Sequence, residues 1–321
     1  MYLIELADFI IQKVEKAGFI MAGQQLEFNE VIETLPLHSW SEVVPHSVQQ
    51  SALVSLEQGK VLYLPELSFP LTQEEQTLLR EDAVKAGRKN ISYRPDGHTI
   101  TGVALQADEQ RVSALMQRYY QYCQQLIEHI LPAYTSVLHT PVNSLRVHPV
   151  TAWKAGNSWR KDDSRLHVDA FPSRPIQGQR ILRIFTNINP SGEPRVWRVG
   201  ETFPQIADQF LPATRSYSRL NSWLQHKLGI TKSLRTHYDH LMLGLHDAMK
   251  ANQQYQQQGA QLEVQFPAGS TWICYSDQTP HAAMSGQFML EQTYLLPVSD
   301  MVSPENSPLK VLESKLGKKL L

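Results

Sequence analysis

The run Leu166-His167-Val168-Asp169-Ala170-Phe171 holds the residue types and spacing best suited to chemistry in this chain. On an extended backbone alternate side chains share a face, so His167 and Asp169 project together. Two imidazoles and one carboxylate that leave coordination positions open are the ligand set of non-haem Fe(II) oxygenases. The second imidazole is expected from His281, where a Pro280-His281 pair enters a strand shortly before Ser285-Gly286. Arg165 falls on the same face as His167 and Asp169, with Leu166, Val168 and Ala170 on the other. A charged triplet facing a core needs compensation, which a divalent metal supplies. The competing reading is a surface strand with its polar edge outward, and His-x-Asp alone does not decide between them.

Other histidines offer weaker sets. His237 and His240 lie a turn apart on a helical pattern that also holds His246, but no zinc signature surrounds them. His98 and His148 are less supported, since a lone histidine is more often a satisfied or exposed side chain than a ligand. If the metal is Fe(II), oxygen activation needs electrons that a 2-oxo acid can supply. The distal carboxylate of such an acid calls for a bidentate, permanently charged partner, which is arginine. No arginine follows His281 through Gln287, Phe288, Glu291 and Tyr294. The strand after His-x-Asp offers Arg180 and Arg183 instead. Arg183 shares a face with Phe185 and Asn187, Arg180 with Leu182 and Ile184, and Arg183 is the expected anchor.

The charge distribution agrees with an anionic ligand. Ten Lys/Arg and four Asp/Glu fall between Arg146 and Arg198, a local +6 in a chain whose net charge is −1. The near-zero total argues against a nucleic-acid binder, and the local excess can draw an anion to one site. With 42% apolar and 19% charged residues over 321 positions, the chain can bury a sizeable core. Cys123 and Cys274 sit in apolar periodic segments and read as buried thiols of a reducing compartment. The N-terminal stretch has no basic region, and Glu5 and Asp8 interrupt its apolar run, so neither a signal peptide nor a membrane span is expected.

The elements that must position these residues follow from periodicity. Helices are expected at 3–16, 47–58, 72–86 (from a Thr72/Glu75 capping box) and 108–133. The last has an apolar stripe of Val112, Leu115, Met116, Tyr119, Cys123, Leu126, Ile127 and Ile130. A strand is expected at 59–65, and a strand and turn at 91–101. Beyond Pro141 the pattern turns to strands, at 145–153, 165–171, 179–187, 195–199, 261–266, 270–275, 281–284 and 287–297, with Ser285-Gly286 as a hairpin turn. Helices intervene at about 202–210, 217–228 and 236–252, and Gln253–Gln258 reads as a polar helix end. The expected fold is therefore α+β: a double-stranded β-helix (jelly roll) core over 141–300 with a helical insert at 202–252. A mainly helical region over 1–140 packs on it, and a tail or helix closes 301–321.

The chain resembles the Kdo hydroxylase family, Fe(II)/2-oxoglutarate-dependent dioxygenases acting on the Kdo sugar of lipopolysaccharide. The resemblance runs from about residue 50 to the C-terminus. It is carried by Arg88-Lys89-Asn90-Ile91-Ser92-Tyr93, Leu166 to Phe171, Leu182-Arg183-Ile184-Phe185-Thr186-Asn187-Ile188-Asn189-Pro190, Tyr238-Asp239-His240-Leu241-Met242-Leu243 and Ser307 to Glu313. It implies His167, Asp169 and His281 as iron ligands, Arg183 for 2-oxoglutarate, and Arg146, Arg195 and Trp197 lining the site. It also implies 3-hydroxylation of Kdo to Ko with O2 on a lipid A precursor, by a cytoplasmic enzyme in peripheral contact with the inner membrane. Two readings rival it: a protein hydroxylase of the JmjC type or another small-molecule hydroxylase, and a non-catalytic jelly-roll sugar-binding module.

Overall fold

The structure, a computed structural model, describes residues 25–153 and 158–321. The helix expected at 3–16 lies outside the described residues. Eleven strands form two sheets among the described residues. The chain supplies β1 (Ile32–Thr34), β2 (Val61–Leu64), β3 (Ile91–Arg94), β4 (Thr99–Thr101), β5 (Val142–Arg146), β6 (Arg180–Asn187) and β7 (Arg195–Gly200). It continues with β8 (Gln261–Phe266), β9 (Thr271–Tyr275), β10 (His281–Ser285) and β11 (Met289–Leu296). The larger sheet runs β1-β2-β9-β6-β11-β5-β3-β4 and the smaller β10-β7-β8. All pairings are antiparallel except β1 with β2. The stretch before residue 141 thus extends both ends of the large sheet with two strands each.

Strand alternation sorts β6 between two cores. Phe185 points toward the small sheet, where it meets Trp197, Val199, Val264, Phe266, Trp272 and Met289. The rings lock in alternating edge and stacked contacts, Phe185 with Trp197 at 5.0 Å and Phe266 with Trp272 at 4.2 Å. Leu182 and Ile184 point the other way, into the core under α1 (His46–Glu57) and α2 (Glu109–Ile130). The expected α2 stripe is the set of residues this helix buries. Between β7 and β8 the chain inserts α3 (Phe203–Phe210), α4 (Arg219–Lys227), α5 (His237–Ala251) and α6 (Gln253–Gln258). The last helix, α7 (Pro308–Leu316), follows β11. Both cysteines are buried free thiols.

Four expected elements differ. The helix begun by the Thr72/Glu75 capping box stops at Gln76, because Leu78 and Leu79 both bury and the chain is extended at Arg80. The strand expected at 145–153 is β5, which ends at Arg146; Pro149, with no amide to donate, precedes a 3-10 turn at Val150–Trp153. The 165–171 segment is no regular strand: it makes one bridge, His167 with His281. The turn before Pro280 leaves it no longer extended partner. Finally, Ser285-Gly286 closes no hairpin, since β10 and β11 belong to different sheets. Gly286 has φ 112°, and a Cβ there would stand 2.9 Å from Arg195 Cα, so the crossover requires glycine.

Candidate metal centre

His167, Asp169 and His281 come together, with one ligand atom from each lying within 4.8 Å of the others. Reciprocal backbone bonds of 3.1 and 2.9 Å join His167 to His281, and the Asp169 amide donates to Ser276 O at 2.8 Å. On the opposite side, Gln256 from α6 takes the place of a neighbouring strand. Its Oε1 accepts from the Leu166 amide and its Nε2 donates to the Leu166 carbonyl.

Both histidines are turned for ligation. Nδ1 of His167 lies 2.7 Å from Arg165 O, and Nδ1 of His281 lies 2.9 Å from Thr279 O. A carbonyl only accepts, so each Nδ1 carries the proton and each Nε2 keeps its lone pair. Burial, with Lys250 adding repulsion, pushes the His167 pKa down to about 3, and burial lowers that of His281. Both rings are neutral at ordinary pH. Asp169 is partly buried, and desolvation alone raises a carboxyl pKa, yet the Arg183 guanidinium 3.0 Å away holds it well below the usual range. Two neutral imidazoles and one carboxylate, with the second imidazole nitrogens already spent on carbonyls, fit a divalent transition metal.

The cluster opens on a cavity of about 220 Å³ whose lining also includes Lys89, Asn90, Asp163, Arg146, Arg183, Arg195, Trp197 and Glu291. All residues expected at the site therefore meet here. Their pairing is uneven. Arg183 is held between Asp169 and Glu291, the latter at 3.1 Å, and Arg146 pairs with the other Glu291 oxygen at 2.8 Å. Burial opposes ionisation of Glu291, but these two guanidinium groups lower its pKa. Arg195 has no carboxylate partner among the described residues, and its Nε and Nη1 make no hydrogen bond. Burial and the charge of Arg146 bring its pKa down to about 10. Trp197 stacks on His281 at 5.1 Å and 22°, leaving its Nε1 without a partner.

Arg180, the alternative on the opposite face of β6, is fully buried away from this cavity. It pairs with Asp277 at 2.8 Å and covers the Tyr275 ring. His237 and His240 flank Tyr217 and do not join the cluster. His246 does approach, its ring edge-on to His167 at 5.3 Å and its Nδ1 3.0 Å from Asp247. Glu291, Asp163 and Gln256 escaped the sequence reading. Alternation along β11 could have flagged Glu291 as a charge on an inward face, but nothing local marks Gln256 among its glutamine neighbours.

A largely buried, open-sided set of two imidazoles and one carboxylate, between two mainly antiparallel sheets and beside a cluster of guanidinium groups, defines a non-haem metal oxygenase. The family model for 3-deoxy-D-manno-oct-2-ulosonic acid (Kdo) hydroxylase matches residues 39–319, and the chain belongs to that family. Among solved structures, the Kdo hydroxylase KdoO, a non-haem Fe(II) α-ketoglutarate-dependent dioxygenase, in complex with α-ketoglutarate and Fe(III) is 42% identical. That match covers 91% of this chain and 97% of that one with a TM-score of 0.86. The cobalt(II) complex of KdoO is 43% identical over 90% and 97% of the two chains, TM-score 0.87. Its complex with succinate and Fe(III) is also 43% identical over the same shares, TM-score 0.85. A search of curated proteins gives no match. The chain is accordingly an Fe(II)/2-oxoglutarate-dependent hydroxylase.

Proposed function

We propose that the protein hydroxylates C3 of Kdo linked to a lipid A precursor, giving Ko, and that His167, Asp169 and His281 hold the iron. The observation that carries this reading is the pair of Nδ1–carbonyl bonds, which leaves both Nε2 atoms free beside Asp169 and an arginine-rich cavity. The facing sheets are read as a jelly roll, with 141–300 as the catalytic core. When bound, iron and 2-oxoglutarate supply the oxidant: O2 converts 2-oxoglutarate to succinate and CO2, and the second oxygen atom turns C–H into C–OH.

The chain's own residues do the positioning. Arg183 and Arg195 together receive the distal carboxylate of 2-oxoglutarate. Arg195 offers donors with no other partner, and Arg183 fixes Asp169 and Glu291. Arg146 and Trp197 face the remaining volume, where the sugar's carboxylate and ring fit. Buried aromatic and aliphatic side chains behind β6 and β7 keep bulk water from the reacting carbon. An anionic substrate suits the excess of guanidinium groups. No described helix is long and apolar enough to cross a membrane, and a cytoplasmic enzyme that meets its glycolipid peripherally fits that finding. The test is purified protein with Kdo-lipid A, Fe(II), 2-oxoglutarate and O2. The product should gain one oxygen by mass, with one succinate formed per product, and no added oxygen would sink the reading.

A further inference from the structure

On a surface helix of a globular protein the apolar stripe normally faces the body. In α4 this order is inverted. Leu220, Trp223, Leu224 and Leu228 recur at helical spacing, and with Ile230 they are 43 to 73% exposed. The side turned inward is polar: Ser222 is buried and donates through Oγ to Arg235 O. The stretch of sequence that carries this stripe has charge of one sign. From Gln209 to Tyr238 there is no Asp or Glu, against Arg215, Arg219, Lys227, Lys232 and Arg235. Exposed leucines and a tryptophan in a stretch whose only charges are cations are the composition of a helix lying in a membrane interface.

The segment after α4 is bonded to the loop that follows Asp169. The Lys232 amide donates to Ser173 O, Ser233 Oγ to Pro175 O, Arg235 Nη2 to Pro172 O, and Gln177 Nε2 to Leu234 O. That loop walls a second cavity of about 470 Å³, which includes Phe171 and Arg174 and touches the metal cavity at Arg183. We propose that α4 and residues 228–235 seat the enzyme on an anionic lipid bilayer and so bring the loop after Asp169 to the membrane surface. A lipid-anchored sugar then reaches the metal cavity without its acyl chains leaving the bilayer. The seat stands on the exposed face alone, and only its purpose rests on the proposed glycolipid substrate.

Sedimentation of the full-length protein with vesicles tests this. The wild type should pellet with phosphatidylglycerol-containing vesicles, and weakly with pure phosphatidylcholine or at high salt. Replacing Leu220, Trp223 and Leu228 together by Ser should lower partitioning by about tenfold or more. The Arg219→Glu/Lys227→Glu variant should lose affinity only for the anionic vesicles. Both variants should form succinate at wild-type rate with a water-soluble Kdo glycoside and more slowly with Kdo-lipid A in vesicles. Wild-type protein that stays in the supernatant overturns the proposal. So does a wild-type dimer that the triple-serine variant converts to monomer, since a second copy then covers the face. Vesicle binding without turnover of any Kdo substrate supports the seat and overturns the substrate reading instead.

Discussion

Gln256 grips both backbone groups of Leu166, accepting from its amide at 2.7 Å and donating to its carbonyl at 3.0 Å. The same side chain donates to Met249 O at 2.9 Å, which ties the end of α5 to the peptide preceding His167. A helical insertion thus supplies the edge that a missing strand leaves open. Gln256→Leu keeps the volume and removes all three bonds. Cobalt(II) affinity, followed by visible absorption, should fall about 10- to 100-fold, as for other supports behind metal ligands. Unchanged affinity would assign Gln256 to folding only.

Asp169→Ala removes the only anionic member of the ligand set and strands Arg183 on one side. Cobalt(II) binding and succinate formation should both drop below detection. His281→Ala should do the same. A variant of either kind that retains stoichiometric cobalt would displace the ligand assignment.

Arg180, Arg183 and Arg195 separate by readout. Arg195→Ala and Arg183→Ala should each raise the 2-oxoglutarate KM by about tenfold or more, a lost charge-assisted pair. Arg180→Ala should leave that KM unchanged and lower stability by about 3–5 kcal/mol, because Asp277 remains buried without its partner. Thermal unfolding and initial rates measured on the same preparations decide the matter. A KM effect confined to Arg180→Ala would contradict the placement of the two faces of β6.

The metal-free protein should be acid-sensitive in a defined window. Burial holds His167 neutral down to about pH 3 and lowers His281 as well, whereas both protonate near pH 6.5 once unfolded. The unfolded chain therefore binds more protons below pH 6.5. The contribution of these rings to stability is complete above that value and is lost progressively as pH falls toward the folded-state pKa. The Tm of metal-free protein should decline from pH 7 to pH 5, and His167→Asn should flatten that slope.

Elements with strong local periodicity were legible from the chain. The stripe of α2 was read residue for residue, since eight apolar positions on one helical face leave one way to bury them. Alternation along β6 placed Arg183 and Arg180 on opposite faces, as found. What failed was set by distant partners. Whether residues 165–171 pair as a strand depends on the turn before His281. The helix expected to continue past Gln76 yields to burial of adjacent leucines and to the Arg80–Asp108 ion pair. Gln256 looked like a solvated helix end, and Glu291 acquires meaning only when β5 and β6 bring Arg146 and Arg183 to it.

The turn ahead of His281 is linked, through Glu57, to two segments far from it in sequence. Gln278 Nε2 donates to Glu57 O in α1, and the Glu57 carboxylate accepts from the amides of Val302 and Ser303. Asp277 is meanwhile fixed by Arg180. Glu57, the Val302–Ser303 backbone and the turn that presents His281 therefore form one hydrogen-bonded network, so a perturbation of either distant segment is transmitted to the backbone that orients the His281 ring.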